Sequence, residues 1–175
     1  MASYWISLKD LPEAGEEYLV QDQEVWDDPI REFRLPYVIT ESFLTRVHVS
    51  PQDKGYLIKG QFSGAIELPC DRCAEPSGLS VADGFSIFEE ADPDLSEEDN
   101  LGPRFLLFEE GTWFLDLAGV LWEQFVLNIP FKYLCSDSCL GVCGSCGSNL
   151  NTDICQCEQE EGDPRLAVFR RLKVE

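Results

Sequence analysis

The chain has 175 residues and sets 33 Asp and Glu against 13 Lys and Arg, a formal net charge of −20. Such a chain repels phosphate backbones over about a Debye length (~8 Å at physiological salt), which disfavours broad, direct nucleic-acid binding and favours basic protein partners. An apolar content of 44% with 11 Phe and 4 Trp excludes a disordered chain and suffices for one domain with a core plus a small appendage.

The N-terminus, residues 1–10, lacks the basic start and apolar stretch of a signal peptide. No apolar run approaches the roughly 20 residues of a membrane span, and the best candidate, Trp113 to Leu121, is broken by Asp116. The expectation is a soluble, cytoplasmic protein with no membrane partner.

In chain order, residues 1–34 read as an irregular, polar segment punctuated by Pro12, Gly15 and Asp27-Asp28-Pro29. Residues 35–134 read as an antiparallel β domain. Tyr56, Ile58, Gly60, Phe62, Gly64, Ile66 and Leu68 alternate with polar neighbours, the period of a half-buried strand. Phe43, Val47 and Val49 mark a strand before it, Leu79, Val81, Phe85 and Ile87 one after it, and short connections make the three a meander. Gly60 and Gly64 on one face predict strong coiling or close packing. Residues 89–104 read as an acidic, solvated loop, and a hairpin is expected around Glu109-Glu110-Gly111-Thr112. Asp116 is placed to cap a helix over about 116–128, with Leu117, Val120, Leu121 and Phe125 on its buried stripe and Pro130 as its stop. Residues 135–175 hold a cysteine cluster and a last helix opened by Asp163-Pro164. The fold class is thus α+β: a meander or barrel-like antiparallel sheet, packed helices and a C-terminal zinc-ribbon-like element.

Eight cysteines at paired spacings, in a chain without an export signal, point to a thiophilic metal and not to disulfides. They are Cys70 and Cys73, then Cys135, Cys139, Cys143 and Cys146, then Cys155 and Cys157. Zinc takes four ligands at tetrahedral corners, so eight thiolates suit two ions. Cys143, Cys146, Cys155 and Cys157 form one expected set, because the short gap closes a small loop at low entropic cost. Cys70, Cys73, Cys135 and Cys139 form the other, with Cys70-Asp71-Arg72-Cys73 as a knuckle at a hairpin tip. Glycine after Cys143 and after Cys146 permits the backbone angles that aim amides at sulfur. Four-thiolate sites are saturated and leave no position for water or substrate.

A thioredoxin-like redox pair requires a strand-to-helix context, which Cys70 and Cys73 lack. The spacings do not match ferredoxin iron–sulfur patterns. A thiol switch in a redox-regulated chaperone is the second functional reading, since Cys-x-Cys beside Cys-x-x-Cys suits it. No catalytic constellation forms around His48, the lone histidine, and no Gly-rich phosphate cradle is present. The chain reads as non-enzymatic, with no small-molecule substrate.

Cys70-Asp71-Arg72-Cys73-Ala74-Glu75-Pro76, Asp116-Leu117, Asn128-Ile129-Pro130, the run from Cys139 to Asn151, a Cys-x-Cys and Asp163-Pro164-Arg165-Leu166-Ala167 occur in that order. Together these motifs resemble the bacterial YceD-like family over roughly residues 35 to 175. The resemblance implies a role in accumulation, processing or stability of large-subunit (23S) ribosomal RNA, with metal binding and nucleic-acid contact suspected. Partners would be that RNA, a basic ribosomal protein, or both. The groups available for RNA are Arg72 in the first knuckle and Arg165, Arg170, Arg171 and Lys173 on the last helix. The structural reading of the helical set is complementation of the helix dipole, and that of Arg72 is a hydrogen bond to a nearby carboxylate or carbonyl.

Overall fold

The computed structural model describes residues 4–91 and 105–157. Their elements are β1 (Trp5–Ser7), β2 (Glu16–Val20), α1 (Glu24–Glu32), β3 (Val38–Gln52), β4 (Gly55–Pro69), β5 (Pro76–Glu90), β6 (Leu106–Glu109), β7 (Thr112–Asp116) and α2 (Leu117–Asn128). They make an α+β fold with two open antiparallel sheets, β2-β3-β4-β5 and β1-β7-β6.

The three 15-residue strands β3, β4 and β5 are the meander expected from period-two alternation. Phe43, Val47, Val49, Ile58, Phe62, Ile66, Val81 and Phe85 face one side and are buried. Gly60 and Gly64 of β4 lie beneath aromatic rings. A Cβ at Gly60 would fall 2.3 Å from the Phe85 ring, its cross-strand partner, and one at Gly64 would fall 2.7 Å from the Phe43 ring. Close packing of rings over bare backbone therefore explains both positions.

α2 begins as its cap predicts. The Asp116 side chain accepts a hydrogen bond from the Gly119 amide at 3.0 Å, and Leu117, Ala118, Val120, Leu121 and Phe125 are buried. Asn128 ends the helix and donates to Asp83 of β5 at 2.8 Å, which ties α2 to the sheet.

Two expectations are corrected. The described part of the segment expected to be irregular, residues 4–34, supplies β1, β2 and α1. Pro29 reads as a breaker yet lies buried inside α1, where a nine-residue helix loses one backbone bond and gains a core contact. The burial of Val25, Trp26, Pro29 and Ile30 holds this short helix. The Trp26 ring packs at a tilt against Phe43, with centroids 4.7 Å apart, and against Phe62 and Phe125 at 5.7 Å, so the core closes around a residue of that segment. The β3 ladder shifts register between Glu41 and Leu44, and the Gln23 side chain pairs with both the N–H (3.0 Å) and the C=O (3.2 Å) of Phe43 there. The second correction concerns Glu89 and Glu90, which end β5 and do not begin a solvated loop. Glu89 is buried and accepts from the Phe105 amide at 3.5 Å. Residues 92–104, the rest of that acidic stretch, lie outside the described residues.

Candidate metal centres

Pro69 and Pro76 pair across β4 and β5, so Cys70–Glu75 is the tip of that hairpin. The turn is closed by two backbone bonds, Ala74 N–H to the Cys70 carbonyl (2.8 Å) and Cys70 N–H to the Glu75 carbonyl (2.9 Å). Beyond α2 the chain returns to this tip. The Asp71 carboxylate accepts from the Tyr133 amide at 2.6 Å, and the Asp71 amide donates to the Tyr133 carbonyl at 2.9 Å. The Tyr133 hydroxyl donates to the Gly78 carbonyl at 2.5 Å. This clamp sets Cys135 and Cys139 against Cys70 and Cys73.

The sulfurs gather into the two sets that spacing predicts: Cys70, Cys73, Cys135 and Cys139, and Cys143, Cys146, Cys155 and Cys157, each within 4.8 Å of one another. Four thiolates roughly 2.3 Å from one zinc stand about 3.8 Å apart at tetrahedral corners. The Cys70–Cys139 separation is 3.8 Å, Cys73–Cys135 is 3.7 Å and Cys146–Cys155 is 3.7 Å, while Cys143–Cys155 is shorter at 3.3 Å. A disulfide needs about 2.05 Å, so these are not bonded pairs. In the first set Cys70, Cys73 and Cys139 are buried with Leu134 packed beside them. The second set is shallower, with Cys146 and Cys157 exposed.

Charge explains why a cation suits both places. In the first set backbone bonding, led by Cys135, holds the Cys70 thiol down to about 6. The Cys139 thiol is also lowered: burial opposes this, but the Asn151 side chain and the Gly141 amide outweigh it. Hydrogen bonding to Cys139 pushes Cys135 up to about 12; at Cys73 burial and the neighbouring thiols outweigh the bond from the Glu75 amide and raise the thiol. The second set divides in the same way. Ser148 lowers Cys146 to about 6 and the Cys146 amide lowers Cys143, whereas Cys146 pushes Cys157 up to about 12. At Cys155 the bond from the Cys157 amide is outweighed by the neighbouring thiols, chiefly Cys143, and the thiol is raised. Four sulfurs this close cannot all ionise without a positive charge among them, and a divalent, thiophilic ion would supply it.

Gly147 has the expected positive φ of 75°, but Gly144 does not, and Ala74 adopts φ 60° in the first knuckle without being glycine. Arg72 is engaged with its own site: its guanidinium donates to the Cys139 carbonyl at 3.0 Å and its carbonyl accepts from Val142 N–H at 3.1 Å. Arg165, Arg170, Arg171 and Lys173, with the helix expected from Asp163, lie outside the described residues. Sequence reasoning missed Asp71, Tyr133, Asn149 and Asn151 as supports of the cysteines. The available signal was polar residues placed between or beside ligands, where sulfur needs donors.

Among the described residues no helix is long and apolar enough to cross a membrane. The model of the family "Large ribosomal RNA subunit accumulation protein YceD" matches residues 58–173. The chloroplastic YCED homolog 1 of Arabidopsis thaliana is 26% identical over 152 residues, covering 73% of this chain and 47% of the relative. The homolog of Zea mays is 27% identical over 142 residues, covering 66% and 48%. A Mycobacterium tuberculosis protein without an assigned function is 26% identical over 125 residues, covering 69% and 57%. The chain thus spans about half the length of the curated plant relatives it matches. No solved structure matches it. On a match across most of its length, the chain belongs to the large ribosomal RNA subunit accumulation protein YceD family.

Proposed function

We propose that this chain is a non-enzymatic ribosome-biogenesis factor. It supports accumulation, processing or stability of large-subunit (23S) ribosomal RNA in the cytoplasm, and its cysteines hold two structural zinc ions. The observation that carries the reading is the pair of sulfur tetrads, one of them welding the segment after α2 to the tip of β4–β5, in a chain of this family. Relatives named for ribosomal RNA accumulation support the RNA side of it. Filled tetrads use every ligand position for protein sulfur, so the metals would organise a surface and leave no coordination site for a substrate.

The net charge of −20 favours action through a basic ribosomal protein, held by the acidic surface before it joins the RNA. Direct RNA contact would fall to Arg165, Arg170, Arg171 and Lys173, with Arg72 already committed to Cys139. The test is depletion in cells followed by ribosomal RNA and subunit profiling. The expected result is loss of 23S RNA and of large subunits with small subunits retained. Unchanged large-subunit RNA after depletion would refute the assignment.

A further inference from the structure

The two tetrads are joined through one side chain that is a ligand of neither. Asn151 lies in the loop between Cys146 and Cys155, inside the second set. Its Nδ2 donates to the Cys139 sulfur of the first set at 3.4 Å and to Asn149 Oδ1 at 2.8 Å, and its Oδ1 accepts from the Leu140 amide at 2.8 Å. One acceptor and both donors of the amide are therefore used. Asn149 in turn reaches the first knuckle, donating to the Glu75 carboxylate at 3.3 Å, and takes the Asn151 amide on its Oδ1 at 3.0 Å. Backbone bonds from Val142 to Arg72 (3.1 Å) and from Leu150 to Gly141 (2.9 Å) complete the seam.

The order of the chain gives this seam a direction. A metal on Cys143, Cys146, Cys155 and Cys157 closes the loop of residues 147–154 and removes its conformational freedom. The closed loop presents Asn149 and Asn151 already oriented. Asn151 then supplies an N–H to a thiolate that, within a tetrathiolate of net charge −2, needs donors to offset its excess charge. With the second set empty, the first must order that loop at its own cost.

We propose that Asn151 is a positioning residue that couples the two centres, so that metal in the Cys143–Cys157 tetrad strengthens metal binding by the Cys70–Cys139 tetrad. The coupling is reciprocal, because linkage between two binding equilibria is symmetric. Asparagine is required here and aspartate is not equivalent. A carboxylate would keep the bond from the Leu140 amide but would lose the donor to sulfur and add a negative charge beside a negative centre.

The inference rests on the reading that the tetrads hold metal, and its test separates the two. The full chain is loaded with cadmium-113 for NMR, in which two four-sulfur centres give two resonances, and with zinc for chelator competition. Asn151→Asp is expected to move the resonance of the Cys70–Cys139 centre and to lower its zinc affinity by about ten- to a hundredfold when the other centre is filled, and reciprocally to weaken the Cys143–Cys157 centre when the first is filled. Cys157→Ser, which dismantles the second centre, is expected to weaken the first by a similar factor. Ile154→Ala, in the same loop but with its side chain exposed, is the control and should leave both resonances in place. Two metals whose affinities are unchanged by Asn151→Asp, or a first centre indifferent to Cys157→Ser, would overturn the coupling alone. A chain that takes up no metal would overturn the metal reading and the coupling together.

Discussion

Ala74 and Gly147 occupy the same place in two turns of the same design. Each follows the second cysteine of a Cys-x-x-Cys, each has a positive φ (60° and 75°), and each donates its amide to the carbonyl of the first cysteine, at 2.8 and 2.9 Å. The closing bonds also match, Cys70 to Glu75 at 2.9 Å and Cys143 to Ser148 at 2.8 Å. A side chain in this conformation costs about 1–2 kcal/mol, a cost Ala74 bears and Gly147 avoids. Ala74→Gly is therefore expected to leave stability unchanged or to raise it by up to about 1 kcal/mol. Gly147→Val should lower it by about 1–2 kcal/mol or more, since a β-branched residue fits this region worst. Denaturant unfolding of the zinc-loaded chain checks both.

Cys70→Ser should release one metal of the two and loosen the β4–β5 tip. The expected signature is faster hydrogen exchange at Ala74, Asp71 and Val142, whose amides bond across this centre. The Cys143–Cys157 tetrad should keep its ion at stoichiometric zinc. Loss of both ions, or of neither, would require a different division of ligands.

Thiol chemistry of the metal-free, reduced chain offers a third check. Cys146 and Cys157 are both exposed, yet bonding from Ser148 lowers Cys146 to about 6, and Cys146 and Cys155 push Cys157 up to about 12. At pH 7 the lower group is largely thiolate and the raised one largely thiol. Because thiolate is the nucleophile, iodoacetamide should modify Cys146 well before Cys157, with peptide mapping as the readout. Zinc should protect both.

Much of this architecture was legible in the residues because it rests on local rules. Alternation from Tyr56 to Leu68 requires a half-buried strand, Asp116 before an apolar helical stripe is a cap, and short gaps between cysteines limit which sulfurs can meet. What was not legible depends on contacts between distant residues. Asp27-Asp28-Pro29 reads as a break, and only the burial of Trp26 among Phe43, Phe62 and Phe125 makes a helix of it. Asp71 and Tyr133 are 62 residues apart, and no spacing rule joins them. Asn151 gives no sequence signal of its bond to Cys139, because its value lies in a sulfur that the fold delivers from elsewhere.

The contribution of α1 to the core is measurable. Trp26 is fully buried, and Trp26→Ala should cost about 3–5 kcal/mol in global stability, the penalty of a large core cavity. Its indole N–H finds no hydrogen-bond partner among the described residues, so Trp26→Phe should cost distinctly less, because it removes a buried unsatisfied donor along with the lost volume. Urea unfolding of the three proteins checks the order. Equal losses would mean that the indole is held by more than packing.

Native mass spectrometry of the purified, reduced full chain, with elemental analysis, decides whether the eight cysteines form two closed metal centres. The expected result is two zinc ions per chain and no thiol titratable until a chelator or denaturant is added, as eight thiolates at four per site require. One zinc with four titratable thiols would contradict the two-centre arrangement, and iron with visible absorption would contradict zinc.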